Sequence, residues 1–161
     1  MAAPQVREIR RAYGFDDVSL APGHVTINPD QTNLDFPLDG ITMSMPILAS
    51  AMDAVVSPEF AVEFDRLGGL AVMNLEGVQT KYDDPEEVLG RIVEAPQEEV
   101  TSLLQHLYAA PVREDLVGAR IRKIKSSGAK CAVSVTPAST KRLAPVAEEA
   151  GAEAEAQRGA A

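Results

Sequence analysis

Ser44-Met45-Pro46-Ile47-Leu48-Ala49-Ser50-Ala51-Met52-Asp53 is the stretch on which the reading of this chain turns. A short apolar run, Ile47 to Ala49, passes directly into small and polar residues. Alternation is lost, as it is in a parallel strand covered on both faces. In α/β proteins ligands are met at the carboxyl ends of such strands, which sets Ser50 and Met52 where a binding site is built. A strand that simply finishes in a polar turn accounts for the same spacing.

Downstream, Ser57 is placed to cap a helix with Pro58 at its first position. Phe60, Ala61, Phe64 and Leu67 follow at helical spacing, and Gly68-Gly69 supplies the stop. Leu70-Ala71-Val72-Met73-Asn74-Leu75 is a second short apolar run. Strand, helix and strand thus fit in about thirty residues, the size of one right-handed βαβ unit. Glu76 to Thr80 reads as a loop, and Asp84 caps a helix with Pro85 first and Glu87 placed to bond back. Val88, Leu89, Ile92 and Val93 form its apolar face. Two more helical patterns carry Leu103, Leu104, Leu107 and Tyr108, then Leu116, Val117, Ile121 and Ile124. So many helices exceed what a crossover needs, and the extra ones are expected on the outer ring or against a neighbouring subunit.

Lys130 to Thr136 is a third strand, followed by a helix over 139–150. Pro145 is awkward inside that helix, so it either starts near Ala144 or is kinked. By this rhythm a fourth apolar strand is due after Gly151. Residues 152–161 instead form an Ala-rich polar tail without β-branched or aromatic residues, so the strand rhythm is expected to stop at three. Upstream, residues 1–12 read as a polar arm, and Tyr13 to Gly23 as an extended segment closed by Pro22-Gly23. Turn formers at Asn28-Pro29-Asp30 and Asp39-Gly40 suggest a hairpin leading into the first strand.

Composition limits the functions. A 161-residue chain with 45% hydrophobic and 24% charged residues is ordinary for a globular domain, and residues 13–151 are read as that domain. The N-terminus lacks the apolar region of a secretory signal, and no run approaches the roughly 18 apolar residues of a membrane span. With 24 acids against 15 bases the net charge is −9, which repels nucleic acid. The basic cluster Arg120, Arg122, Lys123 and Lys125 reads as a solvated helix end that suits the macrodipole. A single cysteine excludes an intramolecular disulfide and fits a reducing, cytoplasmic setting. Cys131, His24 and His106 lack the spacing of a metal site.

Three segments in order carry a family resemblance: Phe15-Asp16-Asp17-Val18-Ser19-Leu20-Ala21-Pro22, then Met45 to Asp53, then Leu67-Gly68-Gly69-Leu70-Ala71-Val72. Together they resemble the opening of the IMP dehydrogenase/GMP reductase family. Asn74 to Thr80 and Val133 to Ala138 resemble its bacterial IMP-dehydrogenase-related branch, which lacks inserted CBS domains. The resemblance implies the N-terminal part of a (β/α)8 TIM barrel, about three of its eight strands, with the site at the carboxyl face. It implies a purine nucleotide substrate, IMP or GMP, whose base exchanges a hydride with NAD, or with NADP in the reductase direction. By that match Ser50 and Met52 are the nucleotide-contacting pair, a hydroxyl for phosphate or ribose and an apolar, polarizable surface for the purine. Asn74 is placed toward the cofactor, with a turn or packing role as its alternative, and Asp53 is expected to fix the turn rather than act as an acid or base. A homo-oligomer, commonly a tetramer, and a monovalent cation in the full-length enzyme are implied as well, with neither nucleic acid nor membrane as a partner.

The family nucleophile, a cysteine on a loop after the sixth strand that adds to the purine C2, has no counterpart here. Cys131, at the start of the third strand, reads as a buried structural thiol. The aspartate-serine-serine end of the fourth strand, the glycine-rich phosphate loops and the mobile flap are also unmatched, so no catalytic residue is assigned. Three readings follow. One is an IMP dehydrogenase-like enzyme making XMP, here as a truncated chain expected to be inactive alone. The others are a GMP reductase and a non-catalytic remnant.

Overall fold

The computed structural model describes residues 11–38 and 40–157. Residues 1–10 of the arm, Asp39 of the expected turn and residues 158–161 of the tail lie outside them. The boundary between two compact units falls after Asn33. In the first unit the segment expected to be extended contains a single 3-10 turn, Phe15–Asp17, closed by the Asp17 carboxylate accepting from the Gly14 N–H at 2.9 Å. A second such turn spans Pro29–Gln31.

The second unit starts with the expected hairpin. Strand β1 (Phe36–Leu38) pairs antiparallel with β2 (Ile41–Met43), Leu38 opposite Ile41, across Gly40 at φ 84°. A parallel sheet follows in the order β3 (Leu48–Ala49), β4 (Leu70–Asn74), β5 (Ala132–Val135) and β6 (Ala154–Gln157). Its register pairs Leu48 with Leu70, Val72 with Ala132 and Ser134 with Ala156.

Strand β6 overturns the expectation that the rhythm stops after Gly151. Its ladder to β5 is made by main-chain groups, which need no particular side chain, so tertiary pairing overrides weak β-propensity. Gly151 at φ 96° turns the chain. The Glu153 N–H donates to the Cys131 carbonyl at 3.1 Å while the Glu153 carboxylate accepts from the Cys131 N–H at 2.8 Å, delivering the chain in register.

Between β3 and β4 runs α1 (Pro58–Arg66), capped by the Ser57 hydroxyl, which accepts from the Phe60 N–H at 3.1 Å. Gly68 at φ 92° ends the descent, and its missing Cβ matters: one placed there would lie 2.1 Å from Ser44 Oγ. The Gly68 carbonyl can therefore approach and accept from the Met45 N–H at 3.0 Å. The segment between β4 and β5 holds four helices, one more than expected. The extra one, α2 (Val78–Lys81), occupies the supposed loop and buries Val78, Gln79 and Thr80. Next come α3 (Pro85–Glu94), with the Asp84 carboxylate accepting from the Glu87 N–H, then α4 (Val100–Tyr108) and α5 (Glu114–Ser126). Last, α6 (Pro137–Glu149) starts well before Ala144 and carries Pro145 within it, which rules out a start at that proline.

Two faces of the sheet are covered differently. Ala71, Met73, Cys131, Val133 and Val135 pack under α1, α5 and α6 against Ala61, Ile121 and Leu143. The opposite face meets the hairpin: Ile41 and Met43 cover Leu70 and Ala132, the first residues of β4 and β5. The amino-terminal end of that face is thereby closed with apolar side chains. Helices α2 to α4 form a smaller cluster of their own around Val78, Val88 and Leu107.

Candidate functional site

Parallel register puts paired residues on one face. Leu70, Val72 and Asn74 of β4 therefore share the hairpin side with Ala132 and Ser134 of β5, and alternation carries Leu48 on to Ser50. Apolar residues fill the hairpin end of this face, while Ser50, Asn74 and Ser134 gather at the carboxyl end. The sheet thus has one sealed end and one polar end.

Strand β3 departs from its sequence reading. Covering on both faces was expected, yet Ile47 and Leu48 are each 51% exposed. The physical reason is position, since β3 is the edge of this sheet and the hairpin reaches β4 and β5 instead. Ser50 and Met52 are exposed just beyond it. The Met52 N–H donates to the Ser50 carbonyl at 2.8 Å, and the Met52 carbonyl accepts from Val55 and Val56 at 3.0 and 2.9 Å. The loop is closed by its own backbone, and both side chains remain presented.

Asp53 fastens this loop to the rest of the protein. Its Oδ1 accepts from Asn74 Nδ2 at 3.0 Å, and its Oδ2 accepts from the Val78 N–H at 3.0 Å and the Tyr108 hydroxyl at 2.6 Å. Gly77 makes the approach possible, for a Cβ there would lie 1.8 Å from Asp53 Oδ1. Asp53 thus holds a neighbouring loop, a wider task than fixing its own turn. Partial desolvation first, then the hydrogen bond to Asp53, raises the Tyr108 phenol above its ordinary range. Asn74 is engaged at both ends, since its Oδ1 also accepts from the Glu76 N–H at 3.1 Å.

Glu76 ties the next two strand ends together. Its carboxylate accepts from the Thr136 N–H at 2.6 Å, the Thr136 hydroxyl at 3.0 Å and the Ser139 hydroxyl at 2.6 Å. A carboxylate at the start of α6 complements the helix dipole and fills the place where that terminus would take an anion. Sequence reasoning did not find the roles of Glu76, Gly77 and Tyr108, because their partners are remote in the chain. Only the Glu76-Gly77 step after a strand offered a signal, a glycine where backbones come close.

The remaining candidates fall outside this cluster. Cys131 is fully buried, and burial, then the Glu153 charge, pushes its thiol up to about 12, which suits a structural role. The basic cluster is more engaged than a solvated helix end. Arg120 donates to the carbonyls of Gln79, Tyr82 and Asp83, Lys123 pairs with Glu59, and Lys125 with Glu153. Among the described residues no His, Cys, Asp and Glu group is arranged to hold a metal ion, and no helix is long and apolar enough to cross a membrane. Concavities of about 200 Å³ beside Ser57 and Asp84 and about 300 Å³ beside Thr42 and Lys130 lie away from Ser50 and Met52.

The IMP dehydrogenase / GMP reductase domain model matches residues 12–144. The chain belongs to that family. An uncharacterized oxidoreductase of Mycolicibacterium smegmatis is 38% identical over 150 residues, 90% of this chain and 40% of that protein. The inosine-5'-monophosphate dehydrogenase of Methanocaldococcus jannaschii is 40% identical over 67 residues, 42% of this chain and 14% of the enzyme. Among solved structures, an IMP dehydrogenase/GMP reductase-like protein from Corynebacterium glutamicum superposes with a TM-score of 0.84 at 32% identity, covering 95% of this chain and 42% of the other. The chain thus spans about 40% of the length of the Mycolicibacterium oxidoreductase and of the Corynebacterium protein. The shared fold is α/β with a parallel sheet.

Proposed function

We propose that this chain supplies the nucleotide-facing opening strands of an IMP dehydrogenase-like (β/α)8 barrel, an oxidoreductase converting IMP, NAD and water to XMP and NADH. One observation carries the reading. The Ser50–Met52 loop stands open at the polar end of a parallel sheet whose other end is sealed by the hairpin, in a chain of that family. Ser50 would donate to a phosphate or ribose oxygen, and Met52 would lie against the purine. When bound, the dinucleotide would supply hydride-acceptor chemistry, and these residues fit it poorly: Asn74, the side chain placed toward it, already donates to Asp53 and accepts from the Glu76 N–H. The sole cysteine is the buried, unionised Cys131, so covalent attack on C2 is not available to these residues. Nucleotide binding without turnover is the proposed behaviour of the isolated chain, in a cytoplasmic setting and, for the full barrel, a homo-oligomer.

Calorimetric titration of the chain with IMP, GMP and inosine is the test. Saturable IMP binding that weakens at least about tenfold in Ser50→Ala, the loss of a hydrogen bond to a charged group, is the expected result. IMP binding no tighter than that of inosine, or indifferent to Ser50→Ala, would remove the reading.

A further inference from the structure

We infer that Tyr108 is a positioning residue that couples the helical segment α2–α4 to the Ser50–Met52 loop, with Asp53 as the joint. The inference rests on the proposed nucleotide role of that loop. Tyr108 stands 55 positions from Asp53, yet its hydroxyl donates to the same carboxylate oxygen that accepts the Val78 N–H. The tyrosine is itself held. Lys81 Nζ donates to the Tyr108 and Ala110 carbonyls at 2.7 and 2.8 Å, and the Tyr82 hydroxyl donates to the Leu107 carbonyl at 2.9 Å. The end of α4 is therefore pinned on α2, and both belong to an apolar cluster separate from the main core. Movement of that cluster is felt at Asp53 through the Val78 N–H and the Tyr108 hydroxyl, of which only the hydroxyl can be removed by a side-chain substitution.

Asp53 passes the restraint on. It directly follows Met52, whose N–H and carbonyl close the loop onto Ser50, Val55 and Val56. Fixing the carboxylate therefore sets where the Ser50 hydroxyl and the Met52 side chain stand. Tyr108 is exposed, so losing its hydroxyl leaves no cavity. Its effect belongs to the loop rather than to the core.

Tyr108→Phe, which keeps the ring, is the experiment, read by amide hydrogen exchange of the full chain without ligand. Exchange at Met52, Val55 and Val56 is expected to quicken about tenfold, the worth of one charge-assisted hydrogen bond, while amides of β4 and β5 are unchanged. Affinity for IMP falls several-fold in the same variant. Unchanged exchange at those three amides overturns the coupling, as does a uniform increase across the sheet, which would mark a general loss of stability. If the loop loosens but the parent chain binds no IMP, the coupling stands and the nucleotide reading fails. Should Tyr108→Phe not fold, Asp53→Asn reads the same amides with the joint itself weakened, and unchanged protection there is equally fatal.

Discussion

Leu48 and Leu70 are both leucines, paired in register on the same face of adjacent strands, yet one is 51% exposed and the other 1%. The difference lies in what covers them. Leu70 meets Ile41 and Met43 of the hairpin, whereas Leu48 lies on the edge strand. Burial in a sheet is a property of neighbours, and the local sequence of the two strands says little about which leucine receives them. The contrast also orients function, because the hairpin closes the amino-terminal end and the polar carboxyl end becomes the accessible one.

The largest effect expected is that of Leu70→Ala. Truncating a fully buried leucine removes its transfer energy and leaves a cavity, so a loss of about 2–5 kcal/mol is expected in chemical denaturation. A loss no larger than that of Leu48→Ala would show that the hairpin does not cover Leu70 in solution.

The next prediction concerns the helix-covered side of β5. The Cys131 thiol is pushed up to about 12 in the folded chain, first by burial and then by Glu153, while in the unfolded chain it ionises in the ordinary range near 8.5. Between those values the unfolded state has released a proton that the folded state retains. Stability therefore falls as pH rises through that window and is insensitive to this group below it. Denaturation midpoints of the parent chain and Cys131→Ala between pH 8 and 10.5 should converge as pH rises. A constant difference would mean that the thiol ionises normally and is not sealed beneath the helices.

Much of this was legible in the chain because the signals are local. Ser57-Pro58 and Asp84-Pro85 start helices where capping chemistry puts them, and Gly68 ends one in the left-handed conformation that glycine favours. Asp39-Gly40 marked the hairpin, although only its Gly40 side lies among the described residues. Strand β6 was missed because its Ala and Glu residues carry no apolar pattern, and the order comes from the β5 main chain. The joint at Asp53 was missed for a related reason. A hydrogen bond across 55 positions leaves no periodicity, and Tyr108 reads as one more apolar residue of α4. Ser50 and Met52 could be singled out because strand-end position and type are both visible in ten residues, whereas what holds them in place is not.

A milder change tests the cover itself. Ile41→Val removes one methyl from the hairpin side of the contact and should cost about 0.5–1.5 kcal/mol. In a double-mutant cycle with Leu70→Ala the two losses should fall short of additivity, as neighbours in one cluster do. With Leu48→Ala they should simply add. Coupling of Ile41 to Leu48 equal to its coupling to Leu70 would erase the distinction between the two leucines.

The smallest effect is expected at Leu48 itself. Leu48→Lys places a charge on a half-exposed edge position, where the aliphatic stem still covers the strand and the ammonium reaches water. A change within about 0.5 kcal/mol is expected, as at surface sites generally, and edge lysines also discourage strand-to-strand association. If Leu48→Lys costs as much as Leu70→Ala, Leu48 is covered in solution. A loss that grows with protein concentration would assign that cover to a second copy, since only association makes stability depend on concentration. A loss independent of concentration would assign it to another part of the same chain. Either outcome would turn the open edge beside Ser50 and Met52 into a covered surface, and the Ser50–Met52 loop would then be shaped by whatever completes it.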